Sequence, residues 1–209
     1  MPFVIHPRVR KGLGRLAAMT AFGVLASTGV AAAASCPTPS TTTPFSQFGD
    51  NNHYFVAPGG TFEGSSLAAG AKTTGSVSLT DGNEPWHVVS ASDNQSLTIR
   101  SGGSVTLPYT CVDSTMPDFR FFARQVAAGS ALKVSVVVQV PGGWDISVPV
   151  AHLADGSMNN WAPTAQIFAP HGLSLAPGLS VQAALKFSVP YGTGAWQIDD
   201  VLVDPYSFG

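Results

Sequence analysis

The sequence has 209 residues, 44% of them hydrophobic, and a formal net charge of −2, which suits one domain plus processing segments. All twelve acidic residues lie after residue 34, but only six of the ten basic residues do, so the later part carries a net charge of 6 − 12 = −6. No basic cluster lies in this part. Nucleic acid and anionic membrane surfaces are therefore excluded as expected partners, since both require dense Lys and Arg.

The first 34 residues have the features of a secretory signal. A basic segment precedes an uncharged, mostly apolar run over residues 16–30, and the small residues 31–34 then offer a signal peptidase site. We expect residues 1–34 to be removed and the protein to be secreted. Two alternatives remain open: a transmembrane helix over residues 16–34, and a lipoprotein signal that would anchor the protein at the cell envelope through Cys36.

The sequence contains only two cysteines, Cys36 and Cys111. In a secreted chain two cysteines predict one disulfide bond, which here would close a loop of 75 residues. A pair of free thiols is the alternative. A lipid attached to Cys36 would also exclude the bond, because it would occupy the Cys36 sulfur.

A Ser/Thr/Pro-rich segment follows the signal. Residues 35–52 begin with SCPTPSTTTP, a composition that cannot form a hydrophobic core, and they are predicted to be an extended tether. The folded domain is therefore placed at residues 53–209.

The remainder of the chain is patterned as β-strands. In LSVQAALKFSV, residues 179–189, apolar side chains alternate with polar or small ones, the period of a half-buried strand. Turn sequences rich in Gly, Pro and Asp recur throughout, and no stretch has the pattern of a long amphipathic helix. This predicts an all-β fold, an antiparallel two-sheet β-sandwich of jelly-roll type. Residues 96–100 and 104–108 flank Ser101-Gly102-Gly103 and are predicted to form a hairpin.

Two adjacent aspartates interrupt the last predicted strand, GAWQIDDVLVDPY. In two-sheet jelly rolls the first and last strands often lie side by side, which would bring Glu63 of APGGTFEG near Asp199 and Asp200. Carboxylates gathered with loop carbonyls suit calcium, which takes six to eight oxygen ligands. The alternative is that Asp200 faces solvent and that Asp199 caps a turn or pairs with an arginine. The candidate arginines are Arg100, Arg120 and Arg124.

Phe62-Glu63 near the start and the aromatic-x-Ile-Asp-Asp-Val strand at the end resemble jelly-roll carbohydrate-binding modules with a galactose-binding-like fold. The resemblance implies that Glu63 and either Asp199 or Asp200 help to bind a structural calcium ion. The stretches APGG-x-FE, RFFAR and GAWQIDDV-x-VDP also resemble a group of secreted actinobacterial proteins.

The motifs of common enzyme classes are missing from the sequence: it has no G-x-S-x-G, no H-E-x-x-H and no nucleotide-binding loop. We therefore predict a non-catalytic binding module that recognises carbohydrate or a cell-envelope polysaccharide. Trp144 and Trp161 follow turn sequences and are the candidates for stacking on sugar rings. A structural or interaction protein of the cell envelope, with no sugar ligand, is the alternative.

Overall fold

A computed structural model of the chain describes residues 36–113, 116, 118–140, 143–169 and 180–206. The predicted signal peptide, residues 1–34, lies outside them. Within the described residues the only helical element is a 3₁₀ turn at Ser46–Phe48, and no helix has the length and apolarity needed to cross a membrane. The all-β prediction is confirmed.

The strands, in chain order, are β1 (Phe55–Val56), β2 (Lys72–Thr74), β3 (Val77–Asp81), β4 (Gln95–Arg100), β5 (Ser104–Thr106), β6 (Thr110–Asp113), β7 (Asp118–Ala127), β8 (Leu132–Val140), β9 (Trp144–Leu153), β10 (Ala162–Pro163), β11 (Ile167–Phe168), β12 (Ser180–Ser188) and β13 (Ala195–Asp204).

These strands form two antiparallel sheets. The seven-stranded sheet has the order β10-β7-β13-β4-β3, with β1 also pairing with β13 and β11 with β7. The six-stranded sheet has the order β2-β5-β12-β8-β9, with β6 pairing with β12. The predicted two-sheet sandwich is therefore confirmed.

The core lies between the two sheets. Phe121 of β7 and Phe187 of β12, one from each sheet, are fully buried, with ring centres 5.0 Å apart in an edge-to-face arrangement. Strand β13 is buried along its whole length, which is why Trp196 and Ile198 are fully buried. Burial of these large apolar side chains is the main favourable term in folding.

A second apolar cluster covers the outer face of the seven-stranded sheet. Phe45, Tyr54, Phe122 and Leu202 are fully buried in it, and Thr42 forms a bridge with Tyr54. Part of the segment assigned to a tether therefore packs on the sheet. The physical reason is its aromatic content, because each aromatic side chain buries about 150–250 Å² of surface.

The predicted hairpin over residues 96–108 is wrong. β4 pairs with β3 and β13, whereas β5 pairs with β2 and β12, so the intervening turn carries the chain from one sheet to the other. The backbone packs closely at this turn, which only glycine allows at position 103: a Cβ added there would lie 2.6 Å from the Ser76 carbonyl oxygen. If β4 and β5 paired with each other as a hairpin, they would lose these hydrogen-bonded pairings with strands that are more distant in the sequence.

The predicted disulfide between Cys36 and Cys111 is present, with a Cα–Cα distance of 5.4 Å. It attaches the start of the described chain to β6, and it occupies the Cys36 sulfur that a lipid would require.

Removing this disulfide is expected to weaken the fold moderately. The double variant Cys36→Ser/Cys111→Ser should lose about 2 kcal/mol of unfolding free energy, because the unfolded chain gains loop entropy. Residues near Cys36 are partly exposed, which keeps the loss at the lower end of the usual range. Urea denaturation of both proteins measures the effect. Two reactive thiols in the unreduced protein would contradict the bond itself.

Candidate functional site

The paired aspartates stand at an irregularity of β13. The register between β13 and β7 shifts between Asp199 and Leu202, and Asp200 has a positive φ of 42°. Such a bulge turns both aspartates away from the regular alternation of the strand. It also leaves Val201 free to bond outside this pair: its N–H donates to the Gly60 carbonyl oxygen at 3.0 Å.

The first strand lies beside the last, as predicted. β1 pairs with β13 through Phe55 with Val203 and Val56 with Leu202. Glu63 follows shortly after, and its Oε1 accepts bonds from the N–H groups of Asn94 and Gln95 at 2.9 and 2.8 Å.

Glu84 lies in the turn-like sequence DGNEPW, yet it is fully buried beside the aspartates. Its backbone N–H donates to Asp199 Oδ2 at 3.1 Å, and its carboxylate accepts the N–H of Val88 at 2.8 Å. The carboxyl group of Asp200 contacts that of Glu84. The loop between β3 and β4 thus places the Glu84 carboxyl group beside those of Asp199 and Asp200.

Five acidic residues surround this point: Glu63, Glu84, Asp93, Asp199 and Asp200, which we call the acidic cluster. Asp199 and Asp200 are each 1% exposed. Burial, offset by two N–H donors and reinforced by Glu84, raises the pKa of Asp199 to about 8. Burial and then the charge of Asp199 raise the pKa of Asp200 to about 9, and burial with the charge of Glu63 raises that of Asp93.

Two parts of the alternative for these aspartates, a solvent-facing Asp200 and an arginine partner, fail in the described residues, whereas Asp199 does accept the backbone N–H groups of Glu84 and Asp200, as a capping residue would. Asp200 is buried rather than facing solvent. The two salt bridges among those residues, Lys72–Asp145 and Arg120–Asp50, involve no member of the acidic cluster. Arg124 donates instead to the side-chain oxygen of Gln197. The cluster therefore gathers five carboxyl groups without a neighbouring base in an ion pair, and the raised pKa values of Asp93, Asp199 and Asp200 show that their ionised forms are disfavoured.

The chemistry of the acidic cluster fits a hard cation. Asp200 Oδ1 and Asp93 Oδ2 are buried and have no hydrogen-bond partner, so each lacks the partner that a buried oxygen normally has. Carboxylate oxygens are the ligands that calcium prefers. In the described chain, however, no three His, Cys, Asp or Glu side chains already converge as a metal site requires. Calcium binding would thus require the carboxylates to turn toward one point.

A different surface, the outer face of the six-stranded sheet, carries exposed polar side chains around a buried apolar centre formed by Ala184 and Val137. Successive side chains of a strand point to opposite faces, so residues next to core positions such as Val134 and Phe187 point outward. The rows on this face include three central ones: Thr106, Lys186, Ser135 and Pro149; then Ala184, Val137 and Ser147; then Gln182, Gln139 and Asp145.

This face is concave. Lys72 lies on edge strand β2 and Asp145 on the opposite edge strand β9, four strand spacings apart, which is about 19 Å in a flat sheet. Their side chains nevertheless meet, with Lys72 Nζ 3.6 Å from Asp145 Oδ2. The sheet must therefore curve toward solvent, and we call this outer face the trough.

Tyr109 contributes an aromatic ring to the trough. Lys72 Nζ lies 5.5 Å from its ring centre, and burial together with the Asp145 carboxylate raises the pKa of Tyr109 to about 12. Gln139 and Gln182, which pair across β8 and β12, are exposed beside these residues. The trough thus combines amide, hydroxyl and charged groups with one aromatic side chain.

The two predicted tryptophans lie on different sheets. Trp144 begins β9 and is 73% exposed, but it points away from the trough because its neighbour Asp145 points into it. Trp161 precedes β10 and packs against the second apolar cluster, with the Arg124 guanidinium carbon 5.0 Å from its ring centre. The structure does not bring these two rings together.

No protein-family model matches the chain, and no curated protein matches it. The resemblance to actinobacterial proteins therefore stays a prediction.

Solved structures with a similar fold are carbohydrate-binding modules, in agreement with the resemblance stated from the sequence. A xylan-binding domain of family 22 is 13% identical, with 77% of this chain and 99% of that chain covered and a TM-score of 0.45. A xylan-binding domain of the same family from Paenibacillus barcinonensis is 16% identical, with coverages of 70% and 91% and a TM-score of 0.44.

A longer match is a xylanase from Clostridium thermocellum that contains a family 22 module joined to a catalytic module. It is 16% identical, with a TM-score of 0.45 over 67% of this chain, and this chain spans only 26% of its length. Because these TM-scores are below 0.5, we base the function on this chain's own residues.

Proposed function

We propose that this protein is a non-catalytic module that binds a neutral polysaccharide in the trough. The observation that carries the proposal is the curvature of the six-stranded sheet, which brings Lys72 and Asp145 together over a face that exposes Gln139, Gln182 and Ser147. A long concave surface suits an extended chain of sugars better than it suits a compact ligand.

The side chains of the trough match the surface of a sugar chain. Sugar hydroxyls both donate and accept hydrogen bonds, as do the amides of Gln139 and Gln182 and the hydroxyl of Ser147. The ring of Tyr109 offers an apolar face for the C–H groups of a sugar ring. Lys72, Lys133 and Lys186 lie on this face with Asp113 and Asp145, a net charge of 3 − 2 = +1, so the trough favours a neutral polymer over a strongly charged one.

The titratable groups of the described chain also favour binding over catalysis. Glycoside hydrolysis needs two carboxyl groups that flank a bound sugar. The carboxyl groups with strongly raised pKa values are Asp118, Asp199 and Asp200, and each is 1% exposed. Closed off from solvent, these groups cannot reach a polymer in the trough.

Alanine at both trough glutamines is expected to weaken polysaccharide binding. Each lost hydrogen bond costs about 1 kcal/mol, so Gln139→Ala/Gln182→Ala should bind about tenfold to thirtyfold more weakly. Affinity electrophoresis in gels that contain xylan, β-glucan or galactan measures the change. Asn159→Ala/Asn160→Ala is the matched control, because both amides are exposed and lie outside the trough.

Retention of the wild-type protein by none of these polymers would contradict the proposal and favour the second candidate, a structural protein of the envelope. Equal retention of the two double variants would place the sugar site outside the trough. Trp144 would then be the first residue to replace, because its ring is the most exposed of the tryptophans.

We also propose a calcium ion in the acidic cluster, held by Asp200 and Asp93 with Asp199, Glu84 and Glu63. The two buried oxygens without partners support this assignment. Bound calcium would supply the positive charge that the cluster lacks and fix the loop between β3 and β4 against β13. Its role would be structural, because the cluster is closed to solvent.

Export by the general secretory route completes the proposal. A disulfide suits an oxidising compartment, which supports secretion. We expect a mature N-terminus between residues 32 and 36, measured by mass spectrometry of the exported protein. Detection of the intact N-terminal methionine, or of a lipid on Cys36, would contradict it.

A further inference from the structure

A polar pocket lies beside the seven-stranded sheet. It has a volume of about 510 Å³ and is lined by Gly49, Asp50, Asn51, Asn52, Arg120 and Gln166. Apart from the glycine, every lining side chain carries a carboxylate, an amide or a guanidinium group. An apolar ligand would bury no apolar surface against these groups and would gain little by entering.

The charged residues of the pocket are held rigidly. Arg120 is 8% exposed, donates from Nε to the Thr164 carbonyl oxygen at 2.8 Å and pairs with Asp50 at 2.6 Å. Its guanidinium carbon lies 4.2 Å from the ring centre of Phe45. Asp50 also accepts the Tyr54 hydroxyl at 2.8 Å. A ligand would therefore meet groups that are already in place, which lowers the entropy cost of binding.

The side-chain amides of the pocket have hydrogen-bonding capacity that is available to a ligand. Gln166 uses its nitrogen for a long bond of 3.4 Å to the Tyr54 hydroxyl, which leaves its Oε1 as an acceptor. The side chain of Asn51 is exposed and that of Asn52 is half-buried. Together the three amides present donors and acceptors in pairs, the complement of vicinal hydroxyl groups.

The charge around the pocket disfavours anions. Arg120 is already paired with Asp50, and Asp118 and Asp204 lie near enough to Asp50 to affect one another's ionisation. Three carboxyl groups thus surround one guanidinium group, and an added carboxylate or phosphate would be repelled. A simple cation is disfavoured in turn by the guanidinium in the pocket wall.

We propose that this pocket binds the ring of one neutral sugar, as a site separate from the trough. The proposal does not depend on polysaccharide binding in the trough, because the two sets of residues share no member and lie on different sheets.

Nuclear magnetic resonance of ¹⁵N-labelled full-length domain tests the proposal, since the side-chain NH₂ groups of Asn51, Asn52 and Gln166 give their own signals. The probes are D-xylose, D-glucose and D-galactose, with D-glucuronate as the anionic counterpart, at up to about 100 mM. We expect at least one neutral sugar to shift these signals with saturation. D-glucuronate should bind at least about tenfold more weakly than that sugar.

Variants separate this site from the trough. Gln166→Ala should weaken binding of the monosaccharide about fivefold, whereas Gln139→Ala/Gln182→Ala should leave it unchanged. The proposal is overturned if no neutral sugar gives saturable shifts of the three amides. It is equally overturned if D-glucuronate binds as tightly as the neutral sugar, or if Gln166→Ala binds as tightly as wild type.

Discussion

Calcium is expected to raise the melting temperature of this protein by about 5–10 °C. An ion that binds only the folded state adds RT ln(1 + [L]/Kd), about 2.7 kcal/mol at a free concentration one hundred times Kd. For a domain of this length, each kcal/mol corresponds to about 2–4 °C. The physical reason is the crowding of buried carboxyl groups: the raised pKa values of Asp199 and Asp200 show that the folded protein disfavours their ionised form, which a bound cation would stabilise. Thermal melts in EDTA and in excess calcium measure the shift.

Asp200→Asn separates the ion from the fold. The variant should melt in EDTA no lower than wild type, because a raised pKa of about 9 favours the protonated Asp200 carboxyl, which Asn replaces with a neutral group of similar shape. It should also lose the increment with calcium. Asp155→Asn is the control: Asp155 accepts the Gly129 N–H at 2.8 Å, so its loss alters the baseline but not the increment. Wild-type melting curves that superimpose in EDTA and in calcium would contradict the proposed calcium site. They would not affect the description of the β-sandwich fold.

Replacing Asp118 by Asn is expected to stabilise the protein at pH 8 relative to pH 4.5. Asp118 lies directly opposite Asp204 on β13, and both of its carboxylate oxygens are buried without a partner. Burial, and then the charges of Asp204 and Asp50, raise its pKa to about 7, against the opposing effect of Arg120.

The folded pKa of Asp118 is above the unfolded value, so its favourable contribution is fully present below the unfolded pKa of 3.8. That contribution is lost as the pH rises through about 7. The variant cannot ionise. The unfolding free energy of the variant, relative to that of wild type, should therefore rise by up to about 3 kcal/mol between pH 4.5 and 8. Urea denaturation at the two pH values measures the difference.

Asp155→Asn is the control: hydrogen bonds from Gly129 and Gln125 lower the pKa of Asp155, so its contribution changes below pH 4.5 and its profile should run nearly parallel to wild type from pH 4.5 to 8. Profiles of the Asp118 variant and of wild type that run parallel from pH 4.5 to 8 would refute a raised pKa at Asp118.

The sheets were predictable because local alternation reports which strands are half-buried. The pattern of residues 179–189 became β12, and the position of Glu63 near Asp199 followed from the pairing of the first and last strands. The hairpin prediction failed because the choice between a local and a distant partner is decided by the rest of the sheet. Ser101-Gly102-Gly103 fits both outcomes equally well.

The site residues that the sequence did not reveal share one property: they are positioned by pairing between strands that are far apart in the sequence. Glu84 and Asp199 are 115 residues apart and meet only when β3 and β13 join the same sheet through β4. DGNEPW has the composition of a turn and does not distinguish an exposed glutamate from a buried one. The trough depends on register across four strand pairs and on sheet curvature, neither of which is encoded in a local window.

A crystal structure of the protein grown with the oligosaccharide of its best-retained polymer tests the central proposal most directly. We predict sugar rings along the outer face of β12, β8 and β9, with hydrogen bonds to Gln139 and Gln182 and a ring against Tyr109. Sugar bound elsewhere, with the outer face of the six-stranded sheet vacant at saturating ligand, would contradict the proposed function.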